Sequence, residues 1–144
     1  MTSPKVLTSK AQEADMAFGG LETVADQMAV FNSIPYKVQA EGLLEMIQNL
    51  KKGDTGANEF AKMVTFYKDQ DVDGMLESMQ GDLEEMGSQE EMLDNRNLKW
   101  IPQIIETSKE TPTFYAVGAG HLGGEKGVIR LLRKEGFKVT PVTK

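Results

Sequence analysis

The sequence predicts an α/β fold, predominantly helical, with a small sheet of about three strands and a C-terminal βαβ unit. Two observations carry that prediction. The stretch 113–144 opens with Phe114, Tyr115 and Val117, breaks into glycines around His121, and resumes as a short amphipathic helix ending at Gly136; Phe137–Val142 then reads as a second strand. Strand, turn, helix and strand make one βαβ unit with a right-handed crossover and parallel strands. The second observation is the helical spacing of apolar residues through most of the chain before that point, with Met16–Leu21 reading as a third, buried strand.

Taken in order, Ser3 caps a short helix whose first position is Pro4, with Val6, Leu7, Ala11 and Ala14 on its apolar side. Gly19 and Gly20 close the Met16–Leu21 run and suggest a close backbone approach there. Glu22 follows at once, and Thr23 caps the next helix, with Val24, Met28 and Phe31 on one face. That places Glu22 between a strand's carboxyl end and a helix's amino end, whose dipole favours the ionised carboxylate, as it does for surface acids at many helix starts. Pro35 opens a helix read as a core builder, with Leu43, Met46, Ile47 and Leu50 at helical spacing. Thr55–Lys68 repeats the pattern with Phe60, Met63, Val64 and Tyr67. After a break, Val72, Met75, Leu76, Met79, Leu83 and Met86 continue it, and this stripe reads as core in preference to a methionine-rich partner groove. Ser88 with Glu91 forms a capping box opening a helix that carries Leu93, Trp100, Ile101, Ile104 and Ile105, with Pro102 expected to kink it.

Two residues break that apolar stripe. Arg96 lies three beyond Leu93 and four before Trp100, and Asn97 adjoins it, so the guanidinium should face the interior or a cleft. There it needs a strong acceptor, for which Glu22 is the candidate, unless the side chain extends past Trp100 into water.

Composition bounds what the chain does. Its 144 residues, 40% hydrophobic and 26% charged, suffice for one domain, 1–144, with an ordinary core. A net charge of -6 offers no general attraction to nucleic acid or anionic lipid. With no cysteine there is neither a disulfide framework nor a thiolate metal site. No apolar run reaches the length of a membrane span and no signal-peptide stretch is visible, so the sequence leaves the compartment unassigned. Asp69, Asp71, Asp73 and Gly74 copy half of a calcium-binding EF-hand loop, but Gln80 stands where a bidentate Glu is needed, so a polar turn is the better reading.

The glycine turn admits three readings. Gly118, Gly120 and Gly123 spell G-x-G-x-x-G, yet the following strand holds no acidic residue for a ribose, which argues against a dinucleotide site. A plain turn, with Gly118, Gly120, Gly123 and Gly124 supplying conformational freedom and His121 satisfied by backbone, is the second. The third is a resemblance. Gly118-Ala119-Gly120-His121, then Leu122-Gly123-Gly124, Gly127, Leu131-Leu132 and Gly136-Phe137-Lys138-Val139, with Gly20-Leu21-Glu22-Thr23, Gln27 and Asn95-Arg96-Asn97 upstream, resembles the TraB/PrgY/GumN family over nearly the whole chain.

The resemblance implies a relation to the TIKI metal-dependent proteases, whose pattern has two GxxH motifs with a glutamate and an arginine between them. Carried over by motif, Gly118 and His121 supply the second GxxH, Glu22 the glutamate and Arg96 the arginine. His121 is the sole histidine, so no earlier GxxH is present and the chain looks like the C-terminal part of such a protein. Two functions follow as expectations. One is a metal-dependent hydrolase of the peptidase type, incomplete here, with catalytic residues Glu22, Arg96 and His121 and a divalent ion on His121 and Glu22. The other is a non-catalytic peptide-binding or regulatory module, since some family members are implicated in shutting off peptide pheromone signalling. The partner in either case is a peptide or protein. Relatives are often exported or envelope-associated.

Overall fold

Helices are the only extended regular elements among the residues that the computed structural model describes, 4–53, 56–85 and 88–142. In chain order they are α1 (Pro4–Glu13), α2 (Val24–Ser33), α3 (Tyr36–Lys51), α4 (Ala57–Asp69), α5 (Val72–Ser78), α6 (Gln80–Glu85), α7 (Asn95–Glu110) and α8 (Val128–Lys134). A single π-turn, Glu90–Asp94, leads into α7, and a 3-10 turn, Ala119–His121, carries the histidine. The expected starts at Ser3 and Thr55, and Met86 of the methionine stripe, lie outside the described residues.

The expected sheet and βαβ unit are absent. Met16–Leu21, Thr113–Val117 and Phe137–Val142 contain no strand, and no ladder joins any of them. A strand needs a partner for its peptide groups, whereas apolar side chains can be buried in another way. Leu21, Tyr115 and Val117 take that alternative, packing against a core of Trp100, Ile101, Ile104 and Val128 on α7 and α8. Side chains also anchor these extended segments: the Tyr115 hydroxyl donates to the Ile104 carbonyl at 3.2 Å, Gln103 Nε2 to the Gly20 carbonyl at 3.2 Å, and Arg133 to the Val139 carbonyl at 2.8 Å. His121 therefore sits in a loop against α7 and not at a sheet edge.

Local signals in the helices held better than the tertiary ones. Thr23 caps α2, accepting from the Asp26 amide while Asp26 returns a bond to the Thr23 amide, and Ser88 Oγ accepts from the Glu91 amide at 3.2 Å. Leu76 and Leu83 of the methionine stripe are buried together with Leu93, with Met79 and Met92 packed on them. α3, by contrast, is no core builder: none of its residues is buried, and Leu43, Met46, Ile47 and Leu50 are all exposed. The amphipathic pattern does form a helix, but a pattern says only which face is apolar, not that a partner covers it.

Candidate functional site

α7 is the element on which the site is built. The π-turn before it lets the Asn95 amide reach back to the Glu90 carbonyl, and such turns recur at functional sites because they re-aim the residues that follow. Those residues are Arg96 and Asn97, with Trp100 one turn further on. Each takes a different partner.

Arg96 reaches Glu22. Its Nε donates to Glu22 Oε2 at 3.0 Å, Nη2 donates to Oε1, and Nη1 donates to the Met92 carbonyl at 2.9 Å. Gln27 adds a bond to Oε1 at 2.7 Å. With side chains only 18% and 12% exposed, Arg96 and Glu22 form a largely sequestered pair. The Arg96 hydrogen bonds, with smaller help from Gln27 and Trp100, hold the Glu22 carboxyl below its ordinary pKa despite the opposing cost of burial. The guanidinium carbon also lies 5.3 Å from the centroid of the Trp100 ring, within cation–π range.

Asn97 and His121 form the second half. Asn97 is the most deeply buried side chain described, and its Nδ2 donates to the carbonyls of His121 at 3.2 Å and Lys126 at 2.9 Å. An amide nitrogen facing two carbonyls fixes the amide's orientation, so Oδ1 is what faces His121 Nδ1 at 2.7 Å. An acceptor there requires the ring to carry its proton on Nδ1. His121 Nε2 is then left with a lone pair, and it has no protein hydrogen-bond partner among the described residues; since no enclosed polar side-chain atom there lacks one, Nε2 keeps contact with solvent. The ring lies against Trp100, with centroids 4.5 Å apart and planes tilted by 42°. Burial first, and the Arg96 charge second, push the His121 pKa down to about 4, with Glu22 pulling the other way. The imidazole is thus neutral at physiological pH.

The glycines divide by role. A Cβ at Gly123 would fall 2.3 Å from the Val72 carbonyl oxygen, so the loop is pressed against the start of α5 where no side chain fits. Of Gly118, Gly120, Gly123 and Gly124, only Gly124, at φ 78, has positive φ.

Glu22, Arg96 and His121, singled out from sequence, therefore share one neighbourhood around Trp100, but not one cleft. A cleft of about 160 Å³ is lined by Leu21, Glu22, Asp26, Val30, Arg96, Lys99 and Trp100, and His121 is not among its walls. As a ligand for a divalent ion, His121 fits: a fixed Nδ1–H tautomer with a free Nε2 is what an imidazole ligand needs. Glu22 as placed spends its oxygens on Arg96 and Gln27. The described residues contain no group of three or more His, Cys, Asp or Glu side chains placed to hold an ion. Asn97 is the residue to which sequence reasoning gave no role; its signal was a polar side chain in an apolar stripe of a chain with one histidine.

Among the described residues, then, a helical framework presents a histidine held by Asn97 from a glycine loop, beside an acid–guanidinium pair. The TraB/PrgY/gumN family model matches residues 4–141, and the chain belongs to that family. No curated protein and no solved structure matches it. No helix among the described residues is long and apolar enough to cross a membrane.

Proposed function

We propose that the chain contributes one histidine to a metal-dependent hydrolase site of the peptidase type. The observation that carries this reading is the Asn97–His121 bond, which places the ring proton on Nδ1 and leaves the Nε2 lone pair free, on an imidazole that burial and the Arg96 charge keep neutral. A group with a pKa of about 4 is a poor general base at neutral pH but is well suited to donating a lone pair. A divalent ion, when bound, would supply an activated water; on this chain His121 would hold it. Glu22 and Arg96 act as a positioning pair: the carboxylate anchors the guanidinium, which lies over Trp100, and Trp100 in turn packs on the imidazole.

Because His121 is the only histidine, its ring nitrogens are unambiguous in a labelled sample. Titrating manganese, cobalt or zinc into histidine-labelled protein should shift or broaden the Nε2 resonance before the Nδ1 resonance. If millimolar metal leaves both unmoved, the ligand role is withdrawn.

A second reading, a peptide-binding module without chemistry, is favoured by the apolar side chains that α2, α3 and α4 leave exposed, among them Phe31, Leu43, Met46 and Phe60. Peptide binding that persists in chelator, with no turnover of a short-peptide library with or without added metal, would select it.

A further inference from the structure

The acidic run before α5 has its own task. Asp71 caps α5, its Oδ1 accepting from the Gly74 amide at 2.9 Å, and a Cβ at Gly74 would lie 2.5 Å from the other Asp71 oxygen and 2.8 Å from the Phe66 ring. Asp73, on the first turn of α5, reaches across the molecule. Its Oδ1 accepts the Gly124 amide at 2.7 Å and Arg130 Nη1 at 2.9 Å, while Oδ2 accepts Arg130 Nη2 at 2.9 Å. Glu125 flanks this clamp from the solvent side, 3.6 Å from Arg130 and 3.5 Å from Lys134.

The loop these bonds grip is the one that carries the histidine. Between His121 and Val128 it includes Gly123, Gly124 and Gly127, so its backbone has much conformational freedom to lose. Two sets of bonds restrain it. From α7, Asn97 Nδ2 holds the carbonyls of His121 and Lys126. From α5, Asp73 holds the amide of Gly124, which lies between those two carbonyls in the chain, and Arg130 locks Asp73 to α8. Gly123 leaves no space between the loop and the Val72 carbonyl, so the α5 side also sets how closely the loop approaches.

We propose that Asp73 is a positioning residue for His121: by pinning the Gly124 amide it keeps the loop in the one conformation in which Asn97 can accept the Nδ1 proton and leave Nε2 free. The inference rests on the reading of His121 as the functional imidazole. Asp73 touches no reacting group itself and acts through the loop.

The test is the nitrogen spectrum of His121 at pH 7.5 in the parent protein, Asp73→Ala, Asp73→Asn and Glu125→Gln. The parent and Glu125→Gln should show one neutral tautomer, protonated at Nδ1. Asp73→Ala, which removes the bond from Gly124 and both bonds from Arg130, should show a second population protonated at Nε2, together with a change in the ring-current shift of the imidazole protons that lie against Trp100. Asp73→Asn keeps an acceptor for the Gly124 amide but not the charge facing Arg130, and should fall between them. Should Asp73→Ala fail to fold, Asp73→Asn and Arg130→Gln carry the test, since each weakens the clamp and leaves the loop sequence intact. A parent-like single tautomer in every folded Asp73 and Arg130 variant overturns the proposal. Because this readout uses no metal, a clamp that behaves as expected while the parent ignores metal would leave the positioning role standing and remove only the hydrolase reading.

Discussion

Asn97 does more at this site than its size suggests, since one side chain satisfies a ring N–H and two carbonyls in a place water does not reach. Asn97→Ala should cost about 3 kcal/mol in chemical denaturation, because it strands buried polar groups and does not simply delete a contact. Asn97→Asp places a carboxylate against Nδ1 and should raise the His121 pKa from about 4 toward its ordinary 6.5, measurable in the same labelled protein. The Glu22–Arg96 pair predicts asymmetry. Arg96→Ala leaves Glu22 sequestered and unpaired and should cost about 3 kcal/mol, whereas Arg96→Ala combined with Glu22→Ala should cost less than the two single changes summed. That pairing was legible in the sequence because Arg96 interrupts a stripe set by Leu93 and Trp100, which turns a charge inward and demands a partner. The Asn97 role was not legible, because it depends on which way an amide lies, and spacing does not encode that.

At the scale of elements, the sequence revealed helices and misjudged what they rest on. The Thr23 capping box and the stripe through Leu76 and Leu83 are local patterns with local causes. The three expected strands failed because a sheet is a pairing between distant segments: Leu21, Tyr115 and Val117 satisfy the apolar pattern by docking on α7 instead. The π-turn at Glu90–Asp94 had no sequence cue at all. The contrast between α3 and α7 is measurable. Ile104→Ala, in the α7 core, should destabilise by about 2–5 kcal/mol, while Leu43→Ala on the exposed face of α3 should stay within about 0.5 kcal/mol of the parent. Equal losses at the two positions would show that α3 is buried in solution. Gly123→Ala should cost about 1–3 kcal/mol, since its new methyl meets the Val72 carbonyl.

Across the whole molecule, a neutral histidine locked into the α7 core links the fold to pH. The folded pKa of His121 lies near 4 and its ordinary value is 6.5, so between those limits the unfolded chain takes up a proton that the native chain refuses. Stability therefore falls as pH drops from about 6.5 toward 4, by about 3 kcal/mol in all, and is flat above that window as far as this group is concerned. Glu22, whose pKa is lowered by Arg96, adds a further loss as pH falls below its ordinary 4.5. Denaturant midpoints at pH 7 and pH 5 should separate in the parent protein and converge in His121→Gln, which cannot charge. Both the pH response and the proposed chemistry rest on a single imidazole, protonated at Nδ1 and bare at Nε2. A nitrogen NMR titration of that lone histidine from pH 3 to pH 8 tests this most directly. One neutral tautomer persisting down to a midpoint near pH 4 is the predicted result, and a midpoint near 6.5 with both tautomers populated would contradict it.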